Sequence, residues 1–271
     1  MDLYDLIQKY EKMGYNDIDA AAKVAQDIIL LKISENKFNE NVTIKGGVVM
    51  HSISNDLRRA TRDLDLDFIK YSLDDKSIKQ FIDKLSDKND IKITIVGRIT
   101  ELKHQDYSGK RVMIKIKDKT GYEINTKIDI GVHKDFEIEQ EEYCFNLDVF
   151  NESVNLLINS KEQIFTEKMK SLLKLGYVSS RYKDILDFYY LINNCNMNRD
   201  KLNSYFKKYI FDDNTMFEKS MEDIYQRLKK IFDRKDFKNN FDSIRNNWLE
   251  LPIEEVTNNI LTYMSEFNIT V

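Results

Sequence analysis

The hydrophobic residues change their spacing about half-way along this chain, and the change limits the folds that it can adopt. Before residue 150, runs with helical spacing alternate with runs in which apolar and polar residues follow one another singly. From about residue 154, helical spacing alone is expected, and strand signals stop. The pattern predicts an α+β protein, with a mixed sheet flanked by helices in residues 1–153 and an all-helical domain in residues 154–271.

Individual elements follow from the same periodicity. In the first part, helices are predicted over 17–34, 48–54 and 74–88, with Asn16 or Asp17 as the first N-cap, and strands within 41–47, 64–69, 91–102, 110–117 and 123–132. In the second part, helices are predicted within 162–176, 180–192, 201–210, 220–232 and 254–264.

Composition excludes several classes of protein. A chain of 271 residues with 42% hydrophobic and 11% aromatic residues can build large cores, and a single proline leaves little material for a linker. The opening residues carry charges rather than the apolar core of a signal peptide, and no apolar run is long enough to span a membrane. Cys144 and Cys195 are too few for a disulfide framework or a thiolate zinc site. A reducing cytoplasmic location is expected.

Charge is distributed unevenly along the chain. The net charge is −4, but residues 161–240 hold 17 Lys and Arg against 12 Asp and Glu. A phosphate-rich partner could bind this basic excess. Solvated helix faces with a modest surplus of lysine explain the same counts equally well.

Three aspartates alternate along the predicted strand in "RATRDLDLDF", residues 59–68. Asp63, Asp65 and Asp67 share one face, while leucines and a phenylalanine fill the other. Alternate Cα atoms lie about 6.6 Å apart, so two of these carboxylates can converge on a divalent cation, and Mg²⁺ prefers such oxygen ligands. The alternative is a half-buried strand with an acidic solvent face, although like charges on one face repel.

Two glycines precede the aspartates in "IKGGVVM", residues 44–50. Gly46 and Gly47, at a turn from strand to helix, let backbone N–H groups approach a phosphate at a helix N-terminus. A tight connection explains the pair as well, and the lysine and hydroxyl of a P-loop are absent.

The order of these motifs is itself informative. Lys45–Gly47 followed by R-x-T-x-D-L-D at Arg59–Asp65 resembles the core of the DNA polymerase β-like nucleotidyltransferase superfamily, and specifically the AbiEii-type toxin family. A second block, "EKMKSLLKLGYVSSRYKDILDFYYL" at residues 167–191, resembles the same family's helical motif. From the first block to the second, the resemblance spans residues 45–191, more than half of the chain.

The resemblance implies a role for each matching residue. Asp63, Asp65 and Asp129 would be catalytic carboxylates that hold two Mg²⁺ ions, with Mn²⁺ as an alternative. Lys168 would neutralise triphosphate charge, and Asp184 or Asp187 would be the acidic residue of the last motif. The nucleotide would be bound by further matching residues, namely Lys45, Gly46, Gly47, Arg59, Thr61, Arg181 and Lys183.

Each of these roles has a simpler alternative. Asp129 could be a polar residue on an exposed strand face. The charged residues from Arg181 to Asp187 could form ion pairs at i, i+3 spacing on an exposed helix face, each worth about 0.2–0.5 kcal/mol. Arg59 and Thr61 could order the turn instead of binding phosphate.

One position departs from the family pattern. Val48 stands where the family commonly has Ser or Thr, so a hydroxyl contact to the terminal phosphates is lost there, and Ser52, Ser54 or Thr61 could substitute. The histidines at 51, 104 and 133 lack metal-ligand spacing and are interpreted as structural or exposed.

The resemblance also implies a function. It suggests a nucleotidyltransferase domain whose cleft the helical domain closes on one side, and a nucleoside triphosphate as donor. The acceptor would be an RNA, with the tRNA 3′ end as the leading expectation, so that translation stops. The protein would be the toxin of a toxin–antitoxin or phage-defence (abortive infection) pair, with a cognate antitoxin. A protein hydroxyl or small molecule as acceptor, and a non-catalytic nucleotide- or RNA-binding module, are the alternatives.

Overall fold

A computed structural model describes residues 1–86, 90–102, 109–133, 140–176, 181–241 and 247–267. The chain divides into two compact units, Met1–Asn159 and Ser160–Val271. The mixed α and β composition agrees with the predicted α+β class. His104 lies outside the described residues.

Within its described residues, the first unit contains four α-helices beside one sheet. The helices are α1 (Leu3–Lys12), α2 (Asp17–Glu35), α3 (Gly46–Ser54) and α4 (Asp75–Leu85). The strands are β1 (Val42–Lys45), β2 (Leu64–Phe68), β3 (Lys92–Ile95), β4 (Thr100–Glu101), β5 (Lys110–Lys117), β6 (Glu123–Val132), β7 (Glu141–Leu147) and β8 (Glu152–Ile158).

The described strands form one mixed sheet in the order β3-β5-β6-β2-β1-β8-β7, with β4 also paired to β5. β2 runs parallel to β6 and β1 parallel to β8, while the other pairs are antiparallel. One face of the sheet is apolar: Leu64, Leu66 and Phe68 of β2 are buried. Phe81 of α4 packs edge-on against Phe68 at 5.0 Å, so α4 covers this face.

Local chemistry sets the helix ends. The Asn16 side chain accepts a hydrogen bond from the backbone N–H of Asp19, which caps α2 as predicted. Asp74 caps α4 in the same way through Ser77. α3 ends at Asn55, whose backbone is left-handed (φ 50°), a common helix terminator.

The structure differs from the sequence-based expectations for this unit in several places. α1 and the β7–β8 hairpin were not predicted, and β8 continues to Ile158, although helical spacing alone was expected from about residue 154. Polar residues alternate with the apolar ones in these strands, and the loop between them is short. The single strand predicted over 91–102 is interrupted, because Gly97 has φ 74° and cannot continue an extended strand.

The second unit is helical throughout its described residues. It contains α5 (Lys161–Leu175), α6 (Tyr182–Asn194), α7 (Arg199–Phe206), α8 (Met221–Phe232), α9 (Lys235–Phe241) and α10 (Ile253–Ser265), with a π-helical turn at Lys207–Phe211. Its core is aromatic: the Phe165 ring lies 4.8 Å from that of Phe188 and 6.2 Å from that of Phe206. None of the helices described in either unit is long and apolar enough to cross a membrane.

Candidate active site

A row of four charged residues crosses the middle of the sheet. Arg111 on β5 is the register partner of Asp129 on β6, Asp129 of Asp65 on β2, and Asp65 of Lys45 on β1. Register partners on neighbouring strands point to the same face. Along the row, the side chains are therefore positive, negative, negative and positive. We call Arg111, Asp129, Asp65 and Lys45 the catalytic row, after the role predicted for its two aspartates.

The two central carboxylates are neighbours across adjacent parallel strands. Strands lie about 4.8 Å apart, so Asp65 and Asp129 belong to one local cluster of negative charge. Asp129 is buried, with 7% of its surface exposed, which excludes the alternative of a residue on an exposed strand face. Asp63 stands one alternation before Asp65, just outside β2, and is more exposed.

The glycines bring the start of α3 against this cluster. Gly46 follows Lys45 directly and has φ 69°, a conformation that favours glycine. A Cβ built on Gly46 would overlap Asp65 Oδ2, and one built on Gly47 would lie 2.6 Å from Thr61 Oγ1. Only glycines allow the first turn of the helix to pack so closely against Asp65 and Thr61.

Cations of the chain contact the carboxylates. The Arg111 guanidinium donates to both oxygens of Asp129, at 2.8 and 2.7 Å, and Lys127 Nζ lies 3.0 Å from Asp63 Oδ2. The hydrogen bond to Asp129, helped by the nearby charges of Asp63 and Asp65, raises the pKa of Arg111. The guanidinium therefore lies in the field of all three predicted carboxylates.

The predicted carboxylates are chemically suited to bind Mg²⁺. Three carboxylates supply the oxygen ligands that this ion prefers, and a cation of the chain already occupies their common field. Among the described residues, no group of three or more His, Cys, Asp and Glu side chains is already arranged to hold a metal ion. A metal ion at Asp129 would compete with Arg111 for the carboxylate oxygens.

The other predicted phosphate-binding residues of this unit are mostly buried. Lys45 Nζ lies 2.7 Å from Asp67 Oδ1 in a buried ion pair. Arg59 is 3% exposed, and its charge helps to lower the pKa of the neighbouring His51. Thr61 lies beside Gly47, and its carbonyl accepts a hydrogen bond from Gln26.

The helical motif also forms a cluster, in the second unit. Lys168 of α5 contacts Asp184 and lies 3.0 Å from Asp187 of α6, and Arg181 lies 3.3 Å from Asp184. Asp187 is fully buried and Asp184 nearly so. The expected i, i+3 pair therefore exists, but the aspartates are not on an exposed helix face.

Comparison with protein families gives a match along most of the chain. The model described as nucleotidyl transferase AbiEii toxin, type IV toxin–antitoxin system, matches residues 28–254. The chain belongs to the AbiEii family. A comparison with curated proteins finds no match. AbiEii membership places the chain among the nucleotidyltransferase toxins of type IV toxin–antitoxin systems and implies a cognate antitoxin.

One charged residue of the candidate site, Arg111, was not predicted from the sequence, although a signal for it exists. Arg111 lies in the predicted strand 110–117, which was interpreted only as a strand. In the β5–β6 hairpin, Lys117 pairs with Glu123. Six residues further from the turn on each strand, Arg111 therefore lies opposite Asp129. The hairpin register was therefore the signal.

Val48 lacks the hydroxyl that the family commonly has after the glycines, and the positions of the three predicted substitutes differ. Ser52 Oγ donates to Tyr143 Oη at 3.3 Å, and Ser54 Oγ to the His51 carbonyl at 3.2 Å. Thr61 Oγ1, by contrast, lies at the glycine turn. Of the three predicted substitutes, Thr61 is the one whose hydroxyl lies beside the glycines.

Proposed function

We propose that this AbiEii protein transfers a nucleoside monophosphate from a nucleoside triphosphate to RNA in a Mg²⁺-dependent reaction, with the tRNA 3′ end as acceptor. The resulting block of translation would make it toxic. The observation that carries the proposal is that Asp65 and Asp129 are register partners on adjacent strands and that the glycine turn packs against Asp65. Two adjacent carboxylates below a helix N-terminus can hold a cation and a phosphate side by side.

Each part of the site has a proposed task. The first N–H groups of α3, at Gly46 and Gly47, bind phosphate oxygens, and Thr61 offers a hydroxyl beside them. Asp63, Asp65 and Asp129 would hold Mg²⁺, with Asp129 nearest the acceptor hydroxyl. Bound Mg²⁺ would neutralise the charge that develops on the transferring phosphate and lower the pKa of the attacking hydroxyl.

For Lys168 we propose a positioning role. Neutralising a triphosphate would require this ammonium to leave two buried carboxylates, and Asp187 would then be a buried charge without its lysine. As part of the cluster with Asp184 and Asp187, Lys168 instead fixes α5 against α6.

Labelling separates the proposed acceptor from its alternatives. The protein is incubated with Mg²⁺, cellular RNA and protein, and each α-³²P-labelled triphosphate in turn. Label in RNA that is lost on removal of the 3′-terminal nucleotides of tRNA supports the proposal. Label in protein or in a small molecule would show that the acceptor is not RNA. Absence of label from every fraction would favour a non-catalytic nucleotide- or RNA-binding module. Asp65→Ala is the catalytic control.

Growth provides an independent measurement. Expression of the chain without an antitoxin is expected to arrest growth, and Asp63→Ala or Asp65→Ala is expected to restore it. Circular dichroism must show that both variants are folded. Arrest by a folded variant at the wild-type level would contradict a catalytic origin of toxicity.

A further inference from the structure

The outward face of β3, β5 and β6 is basic. Alternation places five cations on it, and the register pairs Lys92 with Lys117 and Met113 with Lys127. The opposite face is apolar, because Val112, Ile114 and Ile116 are fully buried. We call this outward surface the basic sheet face; its cations are Lys92, Arg111, Lys115, Lys117 and Lys127.

The sign of this surface is opposite to that of its surroundings. Residues 1–160 hold 24 Lys and Arg against 29 Asp and Glu. On the described part of the basic sheet face, the acidic side chain beyond the candidate catalytic carboxylates is Glu123, which lies 2.7 Å from Lys115 and 3.0 Å from Lys117. Positive charge is thus concentrated on one exposed sheet surface of an otherwise acidic unit.

The basic sheet face leads directly into the catalytic row. Arg111 belongs to both, and Lys117 lies six residues further along the same strand, about 20 Å away. Lys127 lies between them and contacts Asp63. An extended anion lying along β5 and β6 would therefore end at the candidate carboxylates.

An open groove borders the same face. It has a volume of about 610 Å³, and its lining includes Met113 and Lys127 from the sheet and Asp63 from the site. Tyr4 and Ile18 from the helices and Tyr122 from the hairpin also line it, all substantially exposed. The Tyr4 and Tyr122 rings lie 5.9 Å apart.

The groove has a fixed frame. Asp118, in the turn of the β5–β6 hairpin, accepts hydrogen bonds from the backbone N–H of Tyr122 at 2.9 Å and from that of Leu3 at 2.9 Å. One carboxylate thus ties the first turn of α1 to the hairpin and holds Tyr4 close to Tyr122. Glu11 and Asp17 also line the groove, so it disfavours phosphates while offering acceptors to base amino groups.

We propose that the basic sheet face and this groove bind the single-stranded 3′ end of the polynucleotide acceptor. The lysines contact its phosphates, and the groove takes an unstacked base between aromatic and apolar side chains. This inference rests on the proposed function, since it locates the acceptor of that reaction. Charge complementarity and the continuity with the catalytic row carry it.

The test combines binding and kinetics with the full chain. Lys115→Gln/Lys117→Gln removes two cations outside the catalytic row. We expect the variant to bind a fluorescent single-stranded RNA ending in the tRNA 3′ sequence roughly tenfold more weakly than wild type. The slope of log affinity against log salt should decrease in magnitude by about 1.4, which is the effect of two lost phosphate contacts. The KM for RNA should rise while kcat is retained.

Three matched variants complete the test. Glu123→Gln leaves Lys115 and Lys117 without their acidic neighbour and should tighten RNA binding. Lys76→Gln/Lys79→Gln makes the same charge change on exposed α4, which covers the other sheet face, and should have no effect. Lys229→Gln/Lys230→Gln makes the same charge change on exposed α8, within the basic excess of residues 161–240, and tests whether the second unit binds the acceptor.

The outcomes separate the two proposals. If wild type labels no RNA, the proposed function fails, and this inference fails with it. If wild type labels RNA and Lys115→Gln/Lys117→Gln keeps its affinity and salt slope, the inference alone is overturned. Loss of RNA binding only in Lys229→Gln/Lys230→Gln would also overturn it and place the acceptor on the second unit.

Discussion

Arg111 and Asp129 are register partners on adjacent antiparallel strands, and the guanidinium donates two hydrogen bonds to the carboxylate at 2.8 and 2.7 Å. A proposed metal ligand is thus held by a cation of its own chain. Arginine and Mg²⁺ should therefore compete for Asp129.

Replacing Arg111 should strengthen Mg²⁺ binding. In Arg111→Met, Asp129 no longer has to leave a bidentate partner, so half-saturation should need less Mg²⁺ than in wild type. Calorimetric titration with Mg²⁺ measures the change. Lys110→Met is the control, because its ammonium pairs with Asp75 and Glu101 instead. Equal Mg²⁺ affinity in Arg111→Met and wild type would refute the competition.

The two central carboxylates should differ in their effects. Asp65→Asn should weaken both Mg²⁺-dependent binding of a non-hydrolysable triphosphate and turnover, because Asp65 lies at the glycine turn as well. Asp129→Asn should retain triphosphate binding and reduce single-turnover transfer by more than about 100-fold. Transfer by Asp129→Asn at the wild-type rate would redirect the search for the third carboxylate to Asp67.

Gly46→Ala should impair triphosphate binding, in addition to destabilising the fold through backbone strain. Gly97 has a similar backbone (φ 74° against 69°), but a Cβ there would meet open space, whereas one at Gly46 would overlap Asp65. Both variants should lose about 1 kcal/mol from strain. Only Gly46→Ala should also lose Mg²⁺-dependent triphosphate binding, as measured by calorimetry. Similar triphosphate binding in the two variants would show that the close approach at Gly46 is not needed.

Lys168→Ala should unfold more easily than wild type. The change leaves Asp187 buried beside a second carboxylate without the lysine, which costs about 3–5 kcal/mol. Lys174→Ala, on the exposed part of the same helix, should stay within about 0.5 kcal/mol of wild type. Urea denaturation measures both. A Lys168→Ala protein of unchanged stability that transfers no nucleotide would instead support a direct role of Lys168 at the triphosphate.

His51 should make the fold sensitive to acid. Burial, followed by the charges of Lys23 and Arg59, lowers the pKa of His51 from 6.5 to about 4. Its Nδ1–H donates to the Asp56 carbonyl, and its Nε2 accepts from the Tyr15 hydroxyl at 2.8 Å, so the folded state holds the neutral ring.

The sign of the effect follows from proton linkage. Between pH 6.5 and 4 the unfolded chain binds a proton that the folded chain does not, so stability falls as pH falls, by about 3 kcal/mol at most from this group. His51→Gln should remove this component when denaturation midpoints at pH 7 and pH 4.5 are compared. Equal acid sensitivity in wild type and His51→Gln would assign the loss to other groups.

The sequence predicted those parts of the fold that local periodicity determines. The helix starting at Asp17, the strand Leu64–Phe68 and the glycine turn before α3 appear where they were predicted, because capping residues and alternation act over a few residues. The β7–β8 hairpin was missed although polar and apolar residues alternate along both strands. Its place in the sheet depends on the pairing of β8 with β1, which a local pattern does not encode.

The site was less predictable than the elements that carry it. Alternation placed Asp63, Asp65 and Asp67 on one face, but it could not show that Asp67 pairs with Lys45 while Asp65 adjoins Asp129. Such pairs depend on strand order, which local patterns do not encode. The burial of Asp184 and Asp187 likewise depends on how α5 packs against α6.

The catalytic row is electrically neutral as it stands, with two positive and two negative side chains. Mg²⁺ arriving alone would leave an excess of positive charge, and a triphosphate alone an excess of negative charge. Two Mg²⁺ ions and one triphosphate, with charges of about +4 and −4, would cancel and leave the row neutral. We therefore expect each to raise the affinity for the other by the same factor, as thermodynamic reciprocity requires.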